Sequence, residues 1–218
     1  MKKEENLKEK FRQALTSTIK VISDDYKPSF DKKNKNLKDP NFFELDNLNN
    51  KNDFIKARAE SDSEALKKKF SNSVIYKKSL PSNSSCKSLY SIAEKIRYET
   101  LGGKMLKGIK KNYKENYEQI INLKRKDQLK TREDVSVTEA FELYMIKNFH
   151  GLKLNPLTEK MLNFWEKDFE QSIEKHKEFL INNLEDQHIY SSRFSQILEE
   201  MDIFQSEEDE AQEDNQDQ

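Results

Sequence analysis

Apolar residues return every three or four positions along most of this chain, with polar residues filling the gaps. Leu7, Phe11, Leu15, Ile19 and Ile22 put one such stripe on a helix over about residues 5–22, closed by Asp24, Asp25 and Pro28. Residues 27–53 break the pattern: Lys, Asn and Asp dominate, with two prolines and isolated Phe30, Phe42 and Phe43. This stretch reads as an irregular connection pinned by its aromatics, with room for one short β-hairpin. The helical period resumes over 53–70 through Ile55, Ala59, Leu66 and Phe70, with Asp53 as candidate N-cap. Arg58 and Asp62 stand four apart there, where a pair can meet on the helix face. "SLPSNSSCKS", residues 79–88, is a Ser/Pro break that offers a serine as the next cap.

Leu89, Ala93, Ile96 and Leu101 carry the following stripe into Gly102-Gly103, and Met105, Leu106 and Ile109 continue beyond it. Each glycine in a helix interior costs about 1 kcal/mol relative to Ala. The pair therefore predicts a close contact or a kink. Arg97 and Glu99, two apart, lie on different helix faces, one serving the core or a buried pair and the other presented outward. Tyr113, Tyr117, Ile120 and Ile121 extend a further helix to about residue 126. Residues 136–151 begin with a capping-box pair, Ser136 and Glu139, and stop at Gly151. Asn155-Pro156 starts the next helix, with Leu157, Met161, Leu162, Phe164, Trp165 and Phe169 on its apolar side. Ile173, Leu180, Leu184, Ile189, Phe194, Leu198 and Met201 carry the last third. The sum is an all-α, irregular multi-helix domain of about seven helices over 1–205, with no repeat and no sustained heptads.

Composition sharpens this picture. Hydrophobic residues make up 34% and charged residues 36% of the 218 residues, a lean core under a charged surface. Four Gly and four Pro are too few for the many tight turns of a sandwich or barrel. The net charge of -1 hides an asymmetry. Residues 207–218 hold seven acids and no base, whereas 1–206 hold 39 bases against 33 acids, a net of +6. The acidic end, residues 206–218, has no apolar anchor and is predicted to be a disordered linker start. The basic excess is spread rather than gathered into a stripe, which argues against a nucleic-acid partner. Cys86 is alone, excluding an internal disulfide and a cysteine zinc site. No apolar run reaches the roughly 18 residues of a membrane span, and the N-terminus lacks a secretion h-region. These features predict a cytoplasmic protein without a membrane partner.

Candidate chemistry is sparse. "LGGKMLKG" has the wrong spacing for a phosphate-binding loop, and His150, His176 and His188 follow no metal-ligand spacing. His150 reads as a helix C-terminal residue and His176 as a surface one. Glu94, Glu99, Glu139 and Glu142 read as halves of surface ion pairs, and Trp165 as core. No residue is assigned a catalytic, cofactor-binding or metal-ligating role. Arg58, Asp62, Arg97, Glu99, Gly102 and Gly103 are the candidates for structural or interface roles.

Taken in order, "RAESDSEAL" (58–66), "AEKIRYETLGGKMLKG" (93–108) and the segment 158–203 with its acidic exit resemble the N-terminal region of the CobT subunit of aerobic cobaltochelatase. The likeness rests on Arg58, Asp62, Ala65, Leu66, Glu94, Arg97, Glu99, Gly102, Trp165 and Glu185-Asp186-Gln187. Ala59 departs from the family's glycine, and Ser71-Asn72 stands where a His-Asp pair often follows. The resemblance implies a subunit of an ATP-dependent chelatase that inserts cobalt into hydrogenobyrinic acid a,c-diamide. It implies a hetero-oligomer with the AAA+ ATPase subunit CobS and the large subunit CobN. ATP, Mg and cobalt would serve the complex, with none bound by this chain. The family's D-x-S-x-S motif, in a von Willebrand-type domain beyond an acidic linker, does not occur here, so the expectation is the N-terminal helical region alone. The alternative from a different class is a non-enzymatic helical adaptor whose acidic tail binds a basic partner.

Overall fold

The computed structural model describes residues 2–24, 50–123 and 131–201. The acidic segment 206–218 and nearly all of the 27–53 connection, with any β-hairpin there, lie outside the described residues. All regular structure among the described residues is helical: α1 (Lys2–Ser23), α2 (Lys51–Phe70), α3 (Ser73–Lys78), α4 (Ser84–Met105), α5 (Lys107–Leu123), α6 (Val137–Met145), α7 (Pro156–Asn163), α8 (Glu166–Asn182) and α9 (Gln187–Glu199). A 3₁₀ turn at Arg132–Asp134 precedes α6, and a π turn at Ile146–His150 extends it. None of these helices is long and apolar enough to cross a membrane.

Helix α4 is the axis. It packs against α2, α5, α6, α9 and the π turn, and it buries residues around its circumference, from Leu89, Tyr90 and Ala93 to Ile96, Tyr98 and Leu101. A helix apolar on one face would sit at the periphery; one covered all round becomes the centre of the core. Around it gather Phe141, Tyr144 and Met145 of α6, Phe169 and Ile173 of α8, and Tyr190, Phe194 and Leu198 of α9. Helix α1 packs chiefly on α2, where Leu15 and Ala57 meet Phe11 and Phe54, whose rings lie 5.0 Å apart.

The helix boundaries follow capping chemistry, with some corrections to the sequence reading. Asn50, not Asp53, caps α2; Asp53 is the third residue and its carboxylate accepts back from the Asn50 N–H at 3.1 Å. Residues 51–53 are therefore already helix. Asn83, not a serine, caps α4, accepting from Ser85 N at 2.8 Å, so the break before α4 ends at residue 83. Ser136 caps α6, accepting the Glu139 N–H at 3.2 Å, and Asn155-Pro156 and Gly151 act as predicted, Gly151 adopting φ 64 to stop the π turn. Helix α3 was not predicted, because none of its six residues is buried and no apolar stripe marks it. Phe164 and Trp165 interrupt what the sequence reading treated as one helix, separating α7 from α8. Trp165 is half-buried rather than core: its Nε1 donates to the Val135 carbonyl at 3.0 Å, and the Arg132 guanidinium lies 3.7 Å from its ring.

Candidate functional site

Three charged residues of α4, Glu94, Arg97 and Glu99, are inside the protein. Arg97 is fully buried. Its Nε donates to Glu94 Oε1 at 3.1 Å, Nη1 to the Leu184 carbonyl at 2.9 Å, and Nη2 to the Phe70 carbonyl at 2.7 Å and to Glu94 Oε2 at 3.3 Å. Ser191 Oγ and Gln187 Nε2 complete the carboxylate's shell at 2.6 and 3.1 Å. Gln187 Oε1 in turn accepts the Asn72 N–H at 2.6 Å. One guanidinium thus ties the end of α2, the start of α3 and the α8–α9 junction to the central helix. Burying a charge is tolerated only when paired and hydrogen-bonded, and this pair meets both conditions.

Glu99 occupies another side of α4 under different terms. It is 3% exposed. Ser63 Oγ donates to Oε1 at 2.7 Å and Tyr117 Oη to Oε2 at 2.8 Å. Among the described residues no ion pair reaches it; Lys95 stands nearby, its Nζ 5.3 Å from the Tyr117 ring centre. Burial pushes the Glu99 carboxyl above the usual range, with Lys95, Ser63 and Tyr117 pulling the other way and Glu142 adding repulsion. Burial and the Glu99 charge also raise the Tyr117 phenol well above its ordinary value. Glu99 lines a half-open cleft of about 160 Å³ between α2, α4 and α5, together with Ser63, Glu64, Lys95, Tyr98 and Tyr117.

Behind the cleft wall lies His150. Its ring packs on Tyr113 at 4.3 Å and meets Tyr117 at 5.4 Å, and among the described residues neither ring nitrogen makes a hydrogen bond of regular geometry. Burial, opposed by the Ile96 backbone and joined by repulsion from Lys95, Lys114 and Lys110, pushes the imidazole down to about 3. The sequence reading of His150 as a simple helix end therefore misses its burial. His176 is half-buried, with its ring nitrogens 3.1 and 3.3 Å from Arg193 Nη2.

Of the six candidates, the structure gathers Glu99, Gly102 and Gly103 on the α2–α5 side of α4, and Arg97 on the α9 side. Arg97 and Glu99 are both buried; neither is presented outward. Glu94 is likewise no surface residue. Arg58 is exposed and does not pair with Asp62, whose Oδ2 instead accepts from Asn112 Nδ2 at 2.7 Å. The glycines lie inside the continuous α4 helix and mark close contacts. A Cβ on Gly102 would fall 2.4 Å from both Leu66 methyls, and one on Gly103 would fall 2.6 Å from Tyr113 Oη. The approaching groups are side chains, not another backbone. Ser63, Tyr117 and Ser191 escaped sequence reasoning; Gln187 was part of the resemblance but not of the site. The available signal was α4 itself: apolar on several faces, it had to be central, so its charges at 94, 97 and 99 needed buried partners.

Among the described residues no group of three or more His, Cys, Asp or Glu is placed to hold a metal ion. Fold and networks together define a helical module whose central helix is fixed by buried polar contacts on two sides. The sequence model of the family described as cobalamin biosynthesis protein CobT matches residues 5–218, and the chain belongs to that family. Its place is therefore in cobalamin biosynthesis. No curated protein and no solved structure matches the chain.

Proposed function

We propose that this chain is an assembly and coupling module of an ATP-dependent cobaltochelatase that inserts cobalt into hydrogenobyrinic acid a,c-diamide in the cytoplasm. The observation that carries the reading is the family match running through residues 5–218, over the whole helical body. The AAA+ subunit CobS would hydrolyse ATP, and CobN would hold the macrocycle. This chain contributes no catalytic group; its part is to join the two and pass on displacement. The construction of α4 supports that part. A displacement applied at α2 and α5 reaches α9 through a helix clamped by Arg97 on one side and by Glu99, Leu66 and Tyr113 on another. Closely packed interiors move as units rather than deform.

The test is complex formation with purified CobS and CobN, followed by light scattering with ATP, with ADP and without nucleotide. A hetero-oligomer that forms or tightens with ATP is expected. No association under any of these conditions would overturn the reading and leave the helical adaptor in its place.

A further inference from the structure

The cleft beside Glu99 is lined from three helices, by Ser63 and Glu64 of α2, Lys95 and Tyr98 of α4, and Tyr113 and Tyr117 of α5. Glu99 is its most deeply buried charge; Glu60 and Lys67 at the same cleft are exposed, and Glu64 and Lys95 are half-buried. An ionised carboxylate offers about four acceptor positions. Ser63 Oγ and Tyr117 Oη fill two of them, one on each oxygen, and among the described residues no third donor reaches either atom. Glu94 shows what full compensation takes, with four donors that include both guanidinium contacts of Arg97. A buried carboxylate without a countercharge is costly. The cleft volume of about 160 Å³ far exceeds the roughly 10–15 Å³ that one water needs, so a small organic group fits.

The lining selects the sign and kind of that group. The charges that act on Glu99 or share its cleft are Glu60, Glu64 and Lys67 of α2, Lys95 of α4 and Glu142 of α6, so acids outnumber the two lysines and an anion is disfavoured. The phenols of Tyr98, Tyr113 and Tyr117 complete the wall, and aromatic faces attract cations. An ammonium already rests there: Lys95 Nζ lies 5.3 Å from the Tyr117 ring centre. A metal ion is a poorer match, since among the described residues no group of three His, Cys, Asp or Glu is placed to hold one. We infer that this cleft binds a primary ammonium group, carried by a small amine or by a lysine side chain, which donates to the unfilled positions of Glu99 and rests against Tyr117. Glu64 supplies a second negative charge, and Lys95 competes for the same place. Where Glu99 is protonated, entry of the ammonium releases that proton to solvent. The inference stands apart from the chelatase reading.

Titration of the full chain with n-propylammonium chloride at constant ionic strength, followed by backbone amide NMR shifts, tests this. Saturable shifts centred on Ser63, Glu99 and Tyr117 are expected. They should be absent with n-propanol, which lacks the charge, and with tetramethylammonium, which lacks N–H donors. A response that does not saturate, or an equal one from tetramethylammonium, would overturn the proposal. Glu99→Gln should weaken binding about tenfold or more, the worth of a hydrogen bond to a charged group. Lys95→Gln, which removes the competing ammonium, should tighten it. Unchanged affinity in the first variant, or weaker affinity in the second, would also overturn the site. The Glu99 carboxyl carbon gives a readout that a purely structural role would not move: its titration midpoint should fall when n-propylammonium is present, and an unmoved midpoint counts against binding there. Nα-acetyl-lysine methylamide separates the two sources. Saturation like that of n-propylammonium admits a lysine side chain of a partner, whereas saturation by the simple amine alone assigns the cleft to a free amine; both results uphold the ammonium site.

Discussion

Glu94 and Glu99 stand five residues apart on the same helix, both buried, and the protein settles them in opposite ways. Glu94 takes four donors, two of them from a guanidinium that is itself spent on two backbone carbonyls. Glu99 takes two neutral hydroxyls and faces a cleft. The first arrangement is a closed joint among four elements. The second leaves a carboxyl whose charge still depends on the medium. Complete compensation makes a buried charge structural; partial compensation makes it responsive.

The largest break in this comparison is Arg97→Met. It strands the Glu94 carboxylate and leaves the Phe70 and Leu184 carbonyls without their donor. Removing one partner of a buried pair costs about 3–5 kcal/mol, and denaturant titration should show a loss of that size. Adding Glu94→Leu should recover part of it, since the stranded charge goes but Gln187 and Ser191 lose their acceptor. A loss below about 1 kcal/mol, the range of an exposed pair, would mean that the joint is not closed.

Next in size is Gly102→Ala. The new methyl would overlap Leu66, which is fully buried and cannot swing away. Overpacking of this kind costs about 1–3 kcal/mol, against roughly 1 kcal/mol gained in helix propensity. A net loss is expected, shrinking when Leu66→Val makes room. Thermal unfolding of the two single variants and the double variant gives the coupling.

Glu99 and His150, on either side of the cleft wall, should respond to pH in opposite directions. Glu99 has a raised folded value, so between the ordinary carboxylate range and that value the folded state holds a proton that the unfolded state has lost. Stability contributed by Glu99 is therefore complete in acid and falls as pH rises through this window. His150 runs the other way. The unfolded imidazole takes a proton near pH 6.5 while the folded one refuses it down to about 3, so stability is lost as pH falls across that interval. Glu99→Gln should flatten the fall toward higher pH, and His150→Phe should flatten the loss in acid. Stability measured from pH 4 to pH 8 for each variant, subtracted from the parent, isolates each slope. A Glu99→Gln difference curve independent of pH would mean that its two hydroxyl donors already satisfy the ionised form.

Much of this fold was legible in the chain because caps and stripes are local. Ser136, Asn155-Pro156 and Gly151 sit where their chemistry requires, and the apolar periods of α1 from Phe11 onward, α2 and α5 face the protein interior, while Leu7 is 62% exposed. What failed was information that only packing holds. Asn83, among the five serines of residues 79–88, is the cap, its Oδ1 accepting from both Ser85 N and Cys86 N. Helix α3 has no buried face to announce it. Glu94 and Glu99 look like any surface glutamates until α4 is known to be central. The Ser71-Asn72 departure from the family pattern also gains a role: Ser71 Oγ lies 3.4 Å from Arg97 Nη2, and the Asn72 side chain caps α3, accepting from Val74 N at 2.8 Å.

The smallest expected effect lies inside the glycine pair. A Cβ on Gly103 meets the hydroxyl end of Tyr113, with ring carbons at 2.9 and 3.1 Å; the ring is buried, rests on His150 and also lines the cleft. The phenol can tilt outward along the cleft wall that it helps to form. The cost of that tilt is set against the roughly 1 kcal/mol that Ala gains over Gly in a helix. If the phenol yields in this way, Gly103→Ala should lie within about 0.5 kcal/mol of the parent, well apart from Gly102→Ala. The same substitution one residue apart then reports the same contrast as the two carboxylates: the Gly102 contact is fixed by the closed core, and the Gly103 contact yields with the cleft. Equal losses for both would mean that the cleft wall is as rigid as the core, and that Glu99 is held as firmly as Glu94.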